Sequence, residues 1–300
     1  MDKPEPIYAG RKKSMLIPYY FFLPAGLVLI AIVIFPLAYS FVVSLMDTKL
    51  VQPGVPQFVG FKNFIRAFKD KNFLTSMCNT LLFVAVVVIA EFIIGMFLAL
   101  FSTVKIPGIG VLRTTLIIPT ILAPVVVGLI WRYMLFKGHG VLSYFLYLLN
   151  LEPETGILGN VIWARIAIYL TDIWEWSGFM ALIFLAGILS IPKDLYEAAR
   201  VDGASSFYIF RRITLPILKP TILIAVIIRT MDAFCVYDIV YALTRGGPGM
   251  VTTTVSYQIY RTTIRYGELG YGASLAWILM IVIVIISIAY IKIAYREEKI

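Results

Sequence analysis

"EAARVDGASSFYIFRRITLP", from Glu197 to Pro216, is a charged stretch between two long apolar runs. The chain around it is 60% hydrophobic and only 14% charged, yet acidic and basic side chains recur throughout this stretch. Two membrane-spanning helices can be joined by a connection of about two to eight residues. The length and charge of the stretch therefore indicate a role beyond joining two helices.

The composition excludes several classes of protein. A mean hydropathy of +0.90 and a charged fraction of 14%, against about 25% in soluble domains, indicate a chain that resides in lipid. The lone His139 cannot build a two-histidine zinc site, and Cys78 and Cys235 lack metal-binding spacing. No phosphate-binding G-x-x-x-x-G-K-[ST] motif occurs. We therefore expect no cofactor in this chain, and no basic aromatic face points to nucleic acid.

A hydropathy window of about 19 residues predicts six membrane-spanning helices. They lie near residues 17–46, 73–103, 111–136, 161–190, 216–243 and 271–295. Prolines at 24, 36, 119 and 124 are expected to kink these helices and not to break them, since neighbouring helices can satisfy the freed carbonyls. The expected fold is an all-α integral membrane bundle. Its predicted organisation is a tail at 1–16, a single domain at 17–295 and a tail at 296–300.

The distribution of basic residues predicts an orientation in the membrane. Lys and Arg are more frequent in the loops on the side of the two termini than in the opposite loops. Because Lys and Arg favour the cytoplasmic side, both termini and residues 191–215 are predicted to be cytoplasmic. On the opposite side, Phe61, Phe64, Ile65 and Phe68 recur at helical spacing. This pattern predicts an amphipathic helix that lies along the outer interface or packs on the spans.

Residues 191–215, here called the insert, are predicted to hold two short helices. Pro192 suits the first turn of a helix over "KDLYEAARVD", and Gly203 provides the turn that ends it. Ser205 or Ser206 can cap a second helix over "FYIFRR", after which the fifth span begins.

Large aromatic side chains in the insert, Phe207, Tyr208 and Phe210, would be costly to expose to water. Exposed aromatic residues of this kind commonly mark a surface that binds a partner. An interfacial loop whose aromatic side chains sit among lipid headgroups is the alternative. Both interpretations remain open from the residues alone.

The stretch resembles the EAA motif of binding-protein-dependent ABC importer permeases. That motif has EAA, a glycine four residues after the second alanine, and then I-x-LP. The matching residues are Glu197, Ala198, Ala199, Gly203, Ile213, Leu215 and Pro216. "TRGGPG" at 244–249 and "FLAGILSIP" before the insert are similar to the MalF-type carbohydrate permeases. The resemblance implies a six-helix permease of the MalF/MetI-like bundle type in a prokaryotic cell (inner) membrane.

The resemblance also implies partners and a mechanism. The insert would dock on a cytosolic ABC ATPase dimer that binds ATP and Mg²⁺, so this chain would be a transport subunit and not an enzyme. Glu197 would bond to or cap against the ATPase, Gly203 would make the turn, and Phe207 and Phe210 would fill a groove. In ATP-driven alternating access, an extracytoplasmic solute-binding protein would deliver a sugar to outer loops that include 244–268. The resemblance also implies a second, different permease subunit that forms a heterodimer with this chain. A homodimer of this chain remains open.

Charged side chains inside the predicted spans require an explanation, because inserting each of them into the membrane costs about 2.5–3.5 kcal/mol. They are Glu91, Arg165, Asp172, Glu175, Arg229 and Asp232. One interpretation is mutual neutralisation, with Arg229 paired to Asp232 and Arg165 paired to Asp172. Glu91 is open to the same interpretation. The other interpretation is a water-filled path, whose lining candidates are Glu175, Trp176, Arg229, Asp232 and Tyr237.

Carboxylate, guanidinium, Tyr and Trp side chains suit a sugar, which is held by hydrogen bonds and by aromatic faces. An arginine at mid-span could instead bind an anionic solute, such as a glycerophosphate compound or an acidic sugar. A secondary transporter would be expected to show inverted repeats, and none is evident. A membrane enzyme would need a catalytic constellation, and a scaffold would not need charge at mid-span. A carbohydrate importer permease is therefore the favoured prediction.

Overall fold

A computed structural model describes residues 17–50, 55–104 and 107–296, so the predicted tail at 1–16 lies outside the described residues. The described chain is almost entirely helical. Its helices are α1 (Ile17–Leu29), α2 (Phe35–Ser44), α3 (Lys62–Ala67), α4 (Lys71–Phe101), α5 (Ile109–Ile121), α6 (Pro124–Met134), α7 (Val141–Leu148), α8 (Val161–Ser190), α9 (Lys193–Val201), α10 (Ser206–Ile209), α11 (Leu215–Phe234), α12 (Asp238–Leu243), α13 (Val255–Tyr260) and α14 (Leu269–Arg296). Three π-helical turns, at Ile30–Ile34, Phe210–Thr214 and Arg261–Arg265, join or extend these helices. Two short antiparallel strands, β1 (Met46–Asp47) and β2 (Gln57–Phe58), follow α2.

Five of the predicted spans form continuous helices that are long and apolar enough to cross a membrane. They are Leu23–Ser44, Lys71–Phe101, Val161–Ser190, Ser206–Phe234 and Leu269–Ile293. This architecture confirms an all-α membrane fold. In the first span, Pro24 lies inside α1 and Pro36 lies in the first turn of α2, so the helical path continues past both prolines.

The third predicted span is broken, where the sequence predicted only a kink. Helices α5 and α6 meet at 97°. Leu122 and Ala123 between them have extended backbone, with ψ of 144° and 131°. Pro119 and Pro124 flank this point, and neither proline has an N–H to hold the last turn together. Two closely spaced prolines thus end one helix and start another.

The fifth predicted span also has different limits from those expected. Helix α11 ends at Phe234, and the chain resumes at Asp238 as the short helix α12, which packs against α6. At the other end, α10, a π-helical turn and α11 form one helix from Ser206 to Phe234. The second short helix predicted in the insert is therefore the first part of the fifth span.

The centre of the bundle is the contact between α4 and α8, on which α5 and α11 also pack. Small residues permit the close approach. A methyl group added at Gly95 of α4 would lie 2.7 Å from Met180 Cβ of α8, and one added at Gly178 of α8 would overlap the carbonyl oxygen of Leu116 in α5. Small residues at helix contacts are the usual means of close packing in lipid.

Gly95→Ala and Gly178→Ala are each expected to destabilise the bundle by about 1–3 kcal/mol, because the added methyl group overpacks a helix contact. Gly110→Ala is the matched control, since nothing lies within 4 Å of a methyl group added there. The measurement is the thermal unfolding of the purified protein in detergent. Equal unfolding temperatures for all three variants would contradict the close helix packing.

The predicted amphipathic helix on the outer side is α3. Its aromatic residue Phe64 packs on the main apolar core, whereas Phe61, Ile65 and Phe68 are more than half exposed. The Asn63 side chain donates hydrogen bonds to the carbonyl oxygens of Ser44 and Met46, at 2.9 and 3.0 Å, and so fixes α3 to the end of the first span. Its exposed apolar face suits the interface predicted for it.

Candidate functional site

Arg229 of α11 lies at the centre of the bundle and is only 1% exposed. Its Nε and Nη2 donate to the two carboxylate oxygens of Glu91 in α4, at 2.6 and 2.9 Å. Nη1 donates to Asp232 at 2.8 Å, and Nη2 also donates to Asp172 of α8. All three guanidinium nitrogens are therefore engaged by these carboxylates, which together with Arg229 are called the Arg229 cluster. A buried charge is stable only with such partners.

The cluster confirms one predicted ion pair and corrects another. Arg229 does pair with Asp232, but Asp172 pairs with Arg229 and not with Arg165. The Arg165 side chain instead donates to Asn79 Oδ1 at 3.4 Å and to the carbonyl oxygen of Val251 at 3.5 Å. Arg165 lies two turns before Asp172 on α8, close to the loop that holds Val251, and Asp172 faces α11.

A cavity of about 60 Å³ adjoins the cluster. Its lining residues are Pro124, Asp172, Trp176, Asp232, Cys235, Val236, Tyr237, Asp238 and Ile239. Two of its walls are the helix breaks described above, at the start of α6 and at the end of α11. Irregular backbone at membrane depth is tolerated where it lines a cavity, and discontinuous helices commonly build the binding sites of transporters. The breaks thus place the cavity where a solute path is expected.

Three of the five residues predicted to line a path, Trp176, Asp232 and Tyr237, do face this cavity. Arg229 does not line it, and its Cζ lies 5.1 Å from the centre of the Trp176 ring. Glu175 is fully buried, and its carboxylate oxygens have no hydrogen-bond partner among the residues that the structure describes. Of the five predicted residues, Trp176, Asp232 and Tyr237 therefore line the cavity, whereas Arg229 and Glu175 do not.

The sequence analysis did not choose the other six lining residues, which are Pro124, Asp172, Cys235, Val236, Asp238 and Ile239. All of them except Asp172 lie at or beside a helix break, so the signal that could have found them was the break itself. A cluster of aromatic side chains was also missed. Tyr237 belongs to a cluster of tyrosines with ring centres 5.0–6.5 Å apart. Its other members are Tyr241, Tyr257 and Tyr260.

The insert has the predicted helix–turn–helix geometry at its start. Gly203 has φ of +76°, which favours glycine, and it follows α9 directly. Ser205 caps the next helix by accepting a hydrogen bond from the Tyr208 N–H at 3.3 Å. The glycine turn and the serine cap are therefore confirmed, but they lead from α9 directly into the fifth span and not into a separate second helix.

The insert presents an apolar surface. Val201 and Phe207 are 87% and 70% exposed, and Glu197 and Ala198 of α9 are exposed beside them. Phe210, predicted to fill a partner's groove with Phe207, is half-buried and packs on an apolar cluster of its own chain. The residues free to contact a partner therefore include the exposed residues of α9 together with Phe207 and Tyr208, the latter 56% exposed. Of the other motif residues, Ala199, Ile213 and Leu215 are partly buried and Pro216 is exposed.

The comparisons with known proteins identify the family. Residues 65–296 match the model of a family described as "Binding-protein-dependent transport system inner membrane component". The chain belongs to this family. The resemblance drawn from the EAA motif is thereby confirmed, and the chain is a multi-pass membrane protein of the transport permease type.

Two curated relatives are similar to the permease over nearly its whole length. It is 36% identical over 281 residues to the trehalose/maltose transport system permease protein MalF of Thermococcus litoralis, covering 93% of this chain and 94% of that one. It is 36% identical over 277 residues to the sulfoquinovosyl glycerol transport system permease protein SmoG of Agrobacterium fabrum, covering 92% and 89%.

A solved structure shares the fold of the permease. A chain of a bacterial alginate ABC transporter, solved in complex with an alginate pentasaccharide-bound periplasmic protein, superposes with a TM-score of 0.81. The two chains are 24% identical, and the match covers 95% of this chain and 96% of the other. The likeness confirms the importer-permease bundle.

Proposed function

We propose that the permease carries a carbohydrate across the cell membrane as one membrane subunit of an ATP-driven importer. The observation that carries the proposal is the cavity between the two helix breaks, with Trp176 and Tyr237 on its wall beside Asp232. Aromatic rings pack on the apolar faces of a sugar ring, and carboxylates accept hydrogen bonds from its hydroxyl groups. The relative named for the transport of trehalose and maltose, which are neutral sugars, supports the same class of solute.

The free energy for transport is proposed to come from ATP hydrolysis by a separate ATPase dimer that binds ATP and Mg²⁺. The exposed face of α9 and Phe207 is the proposed docking surface, because large apolar side chains without a covering partner commonly mark a protein interface. Residues 17–295 would then act as one transport unit, with both termini and the insert in the cytoplasm. Movement of the insert would rock the spans between states that open to either side.

Two further partners are proposed on the outer side and in the membrane. An extracytoplasmic binding protein would deliver the sugar to the outer loops around 244–268, in keeping with the alginate transporter solved with its sugar-bound periplasmic protein. A second permease subunit, expected to differ from this chain, would complete the path. The outer loop is well fixed for this role, since Asn79 of α4 donates hydrogen bonds to Met250 and Thr253 at 2.8 and 3.2 Å.

Removal of the cavity's aromatic wall tests the proposal. In the complete importer reconstituted into liposomes, Trp176→Ala and Tyr237→Ala are each expected to lower ATP-dependent uptake of a radiolabelled disaccharide about tenfold, since loss of an aromatic contact of about 1.4 kcal/mol has this effect. Trp174→Ala is the control, because Trp174 lies on the same helix but does not line the cavity. Equal uptake by all three variants would refute the role of the cavity.

A further inference from the structure

The buried arginine is not available to a solute. Each of its three guanidinium nitrogens already donates to a carboxylate of the Arg229 cluster, and the residue is 1% exposed. Engaging an anionic solute would require at least one of these hydrogen bonds to be given up inside the membrane. The folded protein is strongly destabilised when a buried carboxylate is left without its cation. Arg229 therefore gives no support to the anionic solutes that the sequence suggested.

The polar side chains that face the cavity have the opposite sign of charge. Asp172, Asp232 and Asp238 line it, and among its described lining residues there is no Lys or Arg. Asp232 offers the most accessible carboxylate, with its side chain 49% exposed. Asp238 lies in the first turn of α12 and is not a partner of Arg229. The single guanidinium of Arg229 is shared by three carboxylates, so the Arg229 cluster keeps a formal excess of negative charge, to which Asp238 adds. A cleft lined by an excess of one sign of charge attracts ions of the opposite sign and repels ions of its own.

We infer that this cavity selects uncharged polyhydroxylated solutes, such as neutral glycosides, and rejects solutes that carry a carboxylate, sulfonate or phosphate. The inference rests on the proposed function for the nature of the cargo. Carboxylates can accept hydrogen bonds from sugar hydroxyl groups without the repulsion that an anionic sugar would meet. Asp232 and Asp238 are thus assigned as residues that determine specificity by charge.

Cys235 can report on the charge of the cavity, because it is a free cysteine on the cavity wall. In the complete importer held in lipid nanodiscs, Cys78→Ser leaves Cys235 as the single cysteine of this chain. The rate of its modification is measured with a cationic and an anionic methanethiosulfonate of similar size, by the mass of this chain. Since the same thiol reacts in both cases, its thiolate fraction cancels from the ratio of the two rates.

The cationic reagent is expected to react about tenfold faster than the anionic one, after each rate is divided by its rate with a free thiol. Asp238→Asn is expected to reduce this ratio, and Asp232→Asn to reduce it further. Because Asp238→Asn leaves the Arg229 cluster intact, it separates the effect of charge from a loss of folding. A ratio of one, or faster reaction of the anionic reagent, would overturn the inference.

A second measurement separates this inference from the proposed function. Uptake of a neutral disaccharide by the reconstituted importer is measured in competition with the same disaccharide oxidised to its uronic acid. Preferred uptake of the neutral sugar supports both proposals, and preferred uptake of the acid overturns the charge inference alone. A cationic preference at Cys235 without uptake of either sugar would leave the acidic cavity established and refute carbohydrate transport.

Discussion

Arg229→Met is expected to destabilise the permease by about 3–5 kcal/mol and to abolish transport. The change leaves Glu91 and Asp172, which are 0% and 1% exposed, without the cation that neutralises them. The loss is a large part of the roughly 5–15 kcal/mol that separates a folded protein from its unfolded state. Because the cluster joins α4, α8 and α11, its disruption also removes a connection among the three helices that surround the cavity.

The measurement is denaturant unfolding in detergent micelles, together with uptake by the reconstituted importer. Arg165→Met is the control, because the hydrogen bonds of Arg165 to Asn79 and to the Val251 carbonyl are long, at 3.4 and 3.5 Å. That variant is expected to lose less than about 1 kcal/mol. Equal stability of the two variants would mean that the cluster does not hold the bundle together.

A rescue variant sharpens the test of the Arg229 cluster. Combining Arg229→Met with Glu91→Gln and Asp172→Asn removes the stranded carboxylates along with the cation. Neutral replacement of all partners of a buried ion pair is often tolerated, whereas removal of one partner is not. The triple variant should therefore recover most of the lost stability without recovering transport. Failure to recover stability would show that packing, and not charge, explains the loss in Arg229→Met.

The parts of the molecule that sequence predicts well are those fixed by a few neighbouring residues. Gly203 takes a positive φ and Ser205 caps the following helix, and both follow from the local preferences of glycine and serine. Helix α9 was expected over the residues that form it, because it lies between Pro192 and Gly203. Each of these signals acts within one or two helical turns, so it can be recognised without knowledge of distant residues.

The parts that sequence does not predict depend on residues far apart in the chain. Glu91 and Arg229 are separated by 138 positions, so no spacing rule could pair them, and Asp172 was assigned to the nearer Arg165 for that reason. The break at Leu122 and Ala123 is similar. A proline removes one hydrogen bond, but whether the helix bends or breaks depends on packing, such as the close contact of Gly128 in α6 with Ala242 in α12.

The geometry of Gly203 predicts how the proposed coupling to an ATPase can be broken without unfolding the chain. Its φ is +76°, yet no atom lies within 4 Å of a methyl group added there. A side chain at this position therefore strains only the backbone, by about 1–2 kcal/mol, and asparagine or aspartate tolerates the conformation better than most residues. Any larger effect must come from a partner that covers the insert.

Gly203→Asp is accordingly expected to lower ATP-dependent uptake at least about tenfold, which corresponds to about 1.4 kcal/mol of lost coupling, and to leave the melting temperature of the isolated permease nearly unchanged. Gly138→Asp is the matched control, since Gly138 has φ of +79° and equally open surroundings but lies in a loop predicted to face the outside. Retention of the ATPase on the purified permease is measured for both variants. If Gly203→Asp keeps its ATPase and imports as fast as Gly138→Asp, the coupling surface does not lie on α9 and Phe207.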